Sequence, residues 1–359
     1  MPYVTHILTN TYNIHNRMSR QELIDSVAQG ITLSNKHSKG FFRTRTFFTN
    51  SPKEVDLSKL SILLNTQVPK EYYTFRIPKA SGGTRKIEAP SEVLKQHHHN
   101  ILRELNNLRI LPHDAAYAYT SGRAAIDAII THQRAGARWF LKLDIKEFFP
   151  STTKNLMQQK LANIYPLSER EGLTERLADT ATNAELQSPQ GSPLSPMLTN
   201  LVLLDFDIRL TKELKRTGFT YTRYADDLLI SSRYHFQFNT ILALVTETFT
   251  ACDLPYRINT DKIRYGSSSG RNWNLGLMYT HDNRITIGQK KKKEYHHLLC
   301  SMLTDYSYGV MWEISSVQEL IGKLGYLKNI EPEYYDKMFT KYEIKFGLDI
   351  SAVFKTLLR

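Results

Sequence analysis

The sequence predicts an α+β fold, and three observations carry that expectation. Two apolar, β-forming stretches end in carboxylates: Trp139-Phe140-Leu141-Lys142-Leu143-Asp144, and the run from Phe219 to Ser231 that encloses Asp226 and Asp227. Segments around them, at 91–108, 154–185, 236–251 and 289–359, space their apolar residues as helices do. No internal repeat or low-complexity tract interrupts the chain beyond His97-His98-His99 and Lys290-Lys291-Lys292-Lys293, so one continuous fold is expected.

With 359 residues, 41% of them hydrophobic, the chain can bury a large core, divided into two or three subdomains. Lys and Arg number 47 against 35 Asp and Glu, a net +12 that suits a polyanionic partner, because basic side chains displace counterions from phosphates. The two cysteines, Cys252 and Cys300, lack Cys-x-x-Cys spacing, which indicates neither a disulfide framework nor a zinc ribbon and fits a reducing cytosol. No apolar run approaches the roughly 20 residues that cross a bilayer. The first residues also lack the apolar stretch of a signal peptide, so a soluble, cytoplasmic protein with no membrane association is expected.

Residues 1–70 read as an N-terminal extension. Gln21 to Ala28 follows a capping Ser19 with helical periodicity, and Leu57 to Leu64 reads as a second short helix. Lys36 to Arg45 is basic and interleaved with Phe41, Phe42, Phe47 and Phe48, a mixture that suits RNA or, equally, a loop with core-facing rings. Tyr72 to Pro90 predicts strand, Gly82-Gly83 turn, strand. The helix over 91–108 carries three consecutive histidines; consecutive residues point around a helix, so they read as solvated or RNA-facing and not as a metal site. A turn at Ala118 to Gly122 precedes a helix through His132.

Asp144 ends the first acidic strand, with Phe148 and Phe149 beyond it; one of these rings is expected in the core, since successive strand residues face opposite ways. After the helical segment 154–185, Gln187 to Pro193 forms a Pro- and Gly-rich entry to a helix through Leu198, Leu201 and Leu204, with Gly191 permitting a close backbone approach. Tyr224-Ala225-Asp226-Asp227 then sits at a hairpin tip, where no core partner neutralises the acids. Adjacent carboxylates raise one another's pKa unless a cation shares the site, and hard oxygens favour Mg²⁺ or Mn²⁺. An Asp-Asp pair alone reads first as a solvated turn. Asp144 in a matching setting supplies the third charge for two ions about 4 Å apart, the arrangement that clamps an in-line phosphoryl displacement. A helix over 236–251, a loop and strand to Ile263, a turn at Trp273 to Met278 and a helical remainder complete the chain.

Asp144 to Pro150, Gln190-Gly191-Ser192-Pro193-Leu194-Ser195-Pro196, Tyr224 to Asp227 and Asn274-Leu275-Gly276 occur in the order used by bacterial reverse transcriptases, which the chain resembles over about residues 70 to 290. The resemblance implies a right-hand polymerase: fingers and palm over 71–288, a helical thumb over 289–359. It implies an RNA-directed DNA polymerase that adds deoxynucleotides to a primer 3′-hydroxyl. Asp144, Ile145, Asp226 and Asp227 would hold two Mg²⁺, with Mn²⁺ as substitute, and Lys262 would serve the departing pyrophosphate as acid or countercharge. Lys79, Arg85, Ile145, Phe149, Gln190 and Gly191 would meet the nucleotide, Phe149 by excluding a 2′-hydroxyl. Leu275 and Gly276 would form the primer grip, and the tetralysine reads as a solvated face or a track for a duplex backbone.

Two departures bear on the subgroup. Retron enzymes carry Asn-Ala-x-x-His where this chain has Asp127-Ala128 with His132 one residue late, and Val-Thr-Gly where it has Asn274-Leu275-Gly276. The chain therefore looks closer to stand-alone, defence-associated enzymes that copy a neighbouring non-coding RNA. Implied partners are that template RNA, a primer, the DNA product and deoxynucleoside triphosphates, with a protein partner or oligomer left open. A protein-primed or non-templated nucleotidyltransferase, and a silent RNA-binding scaffold of the same fold, are the competing readings.

Overall fold

A central antiparallel sheet carries both acidic stretches. The computed structural model describes residues 55–78, 82–268, 273–280 and 282–358. The expected helix at Gln21 to Ala28, the basic-aromatic run at Lys36 to Arg45 and Lys79 lie outside them. Residues Pro52–Arg359 make one compact unit, to which everything below belongs.

Strands β1 (Tyr72–Pro78) and β2 (Thr84–Pro90) form a two-stranded hairpin whose connection includes Gly82 and Gly83, both at positive φ. Strands β3 (Trp139–Asp144), β4 (Thr220–Tyr224), β5 (Asp227–Ser232) and β6 (Arg264–Ser267) form the central sheet in the order β4-β5-β3-β6. Strands β7 (Trp273–Asn274), β8 (Leu277–Tyr279) and β9 (Ile285–Thr286) make a third, small sheet. The turn between β7 and β8 is Leu275-Gly276, both at positive φ (53° and 78°), the mirror-image turn that matches strand twist.

The period-2 alternation of the central strands sends side chains into two separate cores. Leu141, Leu143, Leu228 and Ile230 pack with the helices Ser195–Val202, Leu204–Arg216 and Phe238–Ala251. Phe140 and Leu229 face the opposite way and join Ile129 and the C-terminal helices. Those helices are Gln289–Ser307, Ile314–Ile330, Pro332–Phe346 and Ile350–Leu357, knit by Leu299, Met302, Leu303, Leu320 and Leu324. Burying such side chains contributes about 1.5–3 kcal/mol each, so the sheet is fixed from both faces. None of the described helices is long and apolar enough to cross a membrane.

Three expectations are corrected. Phe148–Ser151 is a helical turn, not strand; Phe148 enters the core while Phe149 is half-buried against it. In the helix Glu92–Asn107, N-capped by Ser91, only His99 of the three histidines is exposed. His98 is fully buried, with Nε2 at 3.2 Å from the Thr180 carbonyl and Nδ1 at 2.9 Å from Ser192 Oγ, and burial lowers its pKa to about 4. Lys292 of the tetralysine is likewise buried, ion-paired with Glu331 and over the Tyr334 ring at 4.3 Å.

Candidate active site

Asp144 and Asp227 are cross-strand register partners, the last residue of β3 against the first of β5. Tyr224 faces Asp227 across the other ladder, which leaves Ala225 and Asp226 as a two-residue turn with Ala225 left-handed at φ 57°. The backbone N–H of Ile145 donates to the Asp226 carbonyl at 2.9 Å, tying the end of β3 to that turn. Three carboxylates thus lie at one edge of the sheet. Burial first, then the charges of Asp227 and Asp144, raises the Asp226 pKa; burial first, opposed by Lys142, raises that of Asp227.

Two lysines answer part of this charge. Lys142, two residues before Asp144, places Nζ 3.0 Å from Asp227 Oδ2, so Asp227 has a partner where none was expected. Lys262, in the short 3₁₀ turn Thr260–Lys262, donates to Asp144 Oδ1 at 2.7 Å, and this bond is the main reason its pKa is raised. The donor set fits a hard divalent cation: three carboxylates, with a raised pKa at two of them. As they stand, Asp144 is turned to Lys262 and Asp227 to Lys142, and among the described residues no three acidic, His or Cys side chains converge on one point.

Beneath the turn lies an interaction that sequence reasoning missed. Arg223 is wholly buried and grips Asp207, Nε at 3.0 Å from Oδ1 and Nη2 at 2.6 Å from Oδ2. Its Nη1 donates to Asn200 Oδ1 at 2.8 Å and to the Ala225 carbonyl at 3.1 Å, so the guanidinium holds the left-handed residue that presents Asp226. Tyr221 donates to Asp207 Oδ1 at 2.7 Å, completing the carboxylate's shell. The available signal was an arginine inside an otherwise strand-like run. His132, also buried, sits with Nδ1 2.5 Å from Ser231 Oγ and Nε2 2.8 Å from Thr222 Oγ1; burial lowers its pKa to about 3.

The other expected site residues fall in two further places. Gln190 accepts at its carbonyl from Glu88 N–H of β2 at 2.8 Å. At Gly191, φ is 132° and a Cβ would stand 2.9 Å from the Glu88 carbonyl oxygen; the close approach it permits is to β2. Arg85 is exposed on that strand, opposite Ile77. Leu275 and Gly276 lie in the small sheet, with Lys291 Nζ 3.5 Å from the Gly276 carbonyl.

A paired-strand sheet edge bearing three carboxylates and a lysine, flanked by helices and a basic hairpin, is the framework of a nucleotidyl-transferring polymerase. The family model for reverse transcriptase (RNA-dependent DNA polymerase) matches residues 77–298. The chain belongs to that family and is an RNA-directed DNA polymerase with the reverse transcriptase fold. It is 26% identical over 292 residues to the retron Ec83 reverse transcriptase of Escherichia coli, covering 78% of this chain and 90% of that one. It is 30% identical over 290 residues to the retron Mx65 reverse transcriptase of Myxococcus xanthus, covering 75% and 64%. Among solved structures, the apo telomerase from Candida tropicalis has a TM-score of 0.46 at 13% identity, covering 77% of this chain and 58% of that one. Both of these relatives are retron enzymes.

Proposed function

We propose that the chain copies a partner non-coding RNA into DNA in the cytoplasm, in the service of antiphage defence. The observation that carries the chemistry is the juxtaposition of Asp144 and Asp227 as register partners, with Asp226 in the adjoining turn and Lys262 on Asp144. The primer 3′-hydroxyl attacks the α-phosphorus of a deoxynucleoside triphosphate; the bond to the β-phosphate breaks and pyrophosphate leaves. Asp144, Asp226 and Asp227, with Ile145 beside them, would hold two Mg²⁺ or Mn²⁺, which when bound neutralise charge on the attacking and leaving oxygens.

Lys262 is held protonated and stands ready to give its proton, or its charge, to the departing pyrophosphate. Arg85 binds the triphosphate as a fork on phosphate oxygens, and Lys79 adds a point charge. The Gln190-Gly191 loop, laced to β2, keeps the hairpin in register with the palm, and Phe149 walls off the 2′ position. Residues 71–288 act as fingers and palm, 289–359 as thumb, and Leu275-Gly276 as the grip on the primer.

Primer extension on an RNA template, with deoxynucleotides against ribonucleotides and with Asp227→Asn as control, tests the reading. Incorporation without template would favour a terminal transferase, and incorporation that survives Asp227→Asn would overturn the assignment of the acids. Sequencing nucleic acid that copurifies with the protein tests the non-coding RNA, and plaque counts with and without Asp227→Asn test the defence role.

A further inference from the structure

Tyr119 is 54% exposed yet held with φ at 60°, a left-handed conformation that a bulky side chain adopts only when its surroundings enforce it. The surroundings here are specific. Asn200 Nδ2 donates to the Ala118 carbonyl at 2.9 Å, and the Thr120 hydroxyl donates back to the carbonyls of Ala116 and Ala118. Ala115 to Tyr117 pairs with Arg223 of β4, whose N–H donates to Ala115 at 2.6 Å and whose carbonyl accepts from Tyr117 at 2.8 Å.

Asn200 and Arg223 therefore tie together two carbonyls, those of Ala118 and Ala225. Tyr119 follows the first and Asp226 the second, so one buried network fixes the ring relative to the catalytic turn. The phenol responds to what lies around it: burial first, then Asp226 and Tyr224, raises its pKa, and Arg85 opposes them. A ring held at a strained position, near enough to Arg85 and Asp226 for their charges to act on its hydroxyl, has a surface to offer what comes between them.

We propose that Tyr119 is a nucleotide-contacting residue, its ring forming one wall of the space between Arg85 and Asp226 that receives the sugar and base of the incoming deoxynucleoside triphosphate. This rests on the polymerase reading above and adds a specificity-determining side chain to it. The ring acts by its face, so the hydroxyl is dispensable. Strain retained at a side chain that stays more than half exposed is explained by that contact.

The test uses the full chain and three variants, Tyr119→Phe, Tyr119→Ala and Tyr119→Gly, the last because glycine accepts the left-handed backbone. Two readouts are taken: extension of oligo(dT) on poly(rA) at varied dTTP, and the rise in melting temperature caused by dTTP with Mg²⁺. Tyr119→Phe should behave as the parent. Tyr119→Ala and Tyr119→Gly should raise KM for dTTP roughly tenfold or more, the scale of one lost base–aromatic contact, with kcat little changed. Tyr119→Gly should do so with melting of the free protein unchanged or raised, and both variants should lose the dTTP-induced shift. An unchanged KM and shift, or weakened primer–template affinity with normal dTTP binding, overturns the proposal; the latter would put the ring on the template. If the parent fails to extend, the copying reading falls, while the dTTP shift still decides for or against Tyr119.

Discussion

Asp144 and Asp227 stand opposite each other as register partners, so strand pairing alone brings together acids 83 positions apart in the chain. Lys142 and Lys262 then reach the two carboxylates from the strand and from the 3₁₀ turn, at 3.0 and 2.7 Å. The cluster is a charge arrangement that the fold tolerates more than it needs.

The Asp226 pKa is raised by burial and by its acidic neighbours, which means its ionised form is disfavoured in the folded chain. Asp226→Asn should leave the melting temperature unchanged or higher. RNA-templated incorporation should fall about 10³-fold, since electrostatic stabilisation of the transferring phosphoryl contributes several kcal/mol. Parallel calorimetry and primer extension check this; a variant that loses stability and activity together would mean that the carboxylate serves the fold.

Lys262→Ala removes the side chain that donates to Asp144 Oδ1 at 2.7 Å. Single-turnover extension should slow by about 10²-fold, the lower end of general acid effects. Because more than half of the side chain is exposed, stability should barely move.

Asp207→Asn leaves the Arg223 guanidinium buried opposite a neutral amide. Removing one partner of a buried ion pair costs on the order of 3–5 kcal/mol. Replacing both, Arg223→Met with Asp207→Leu, should cost less than the two single changes summed, measured by urea unfolding as a double-mutant cycle. Additive losses would show that the pair does not act as a unit.

His98 and His132 are buried with pKa values lowered to about 4 and about 3, burial being the leading cause in each. The ordinary value is about 6.5, so on acidification the unfolded chain takes up protons first. Stability is therefore full above about pH 6.5 and is lost progressively as pH falls from there toward the folded values, by roughly 2 kcal/mol for each histidine at pH 5. Urea unfolding at pH 7 and pH 5 should show this, and His132→Gln should flatten the acid limb.

Much of the site could be read from the chain because its signals are local. Apolar alternation around Asp226-Asp227 marks a hairpin, and a carboxylate at the end of Trp139–Asp144 marks a strand terminus. Gly82-Gly83 announces a turn by the same short-range logic. What stayed hidden depends on pairing across distance. Arg223 and Asp207 each read as surface charge until the fold brings them together, and Lys292 looks solvated until Glu331 arrives 39 positions later. His98 points inward because Thr180 and Ser192 wait there, which helix periodicity alone does not reveal. The left-handed Glu147, φ 48°, three residues past the end of the strand, starts the helical turn that carries Phe148 and Phe149.

The burial of Lys292 has a consequence for ionic strength. Lys292 is committed to Glu331, and Lys291 is turned toward the Gly276 carbonyl and the Tyr326 ring. Only Lys290 and Lys293 of the run are exposed. Each phosphate neutralised on duplex DNA contributes about 0.9 to the log–log dependence of affinity on salt. A duplex backbone tracked by this run would therefore meet about two charges, and changing Lys292 should alter the packing of the C-terminal helices.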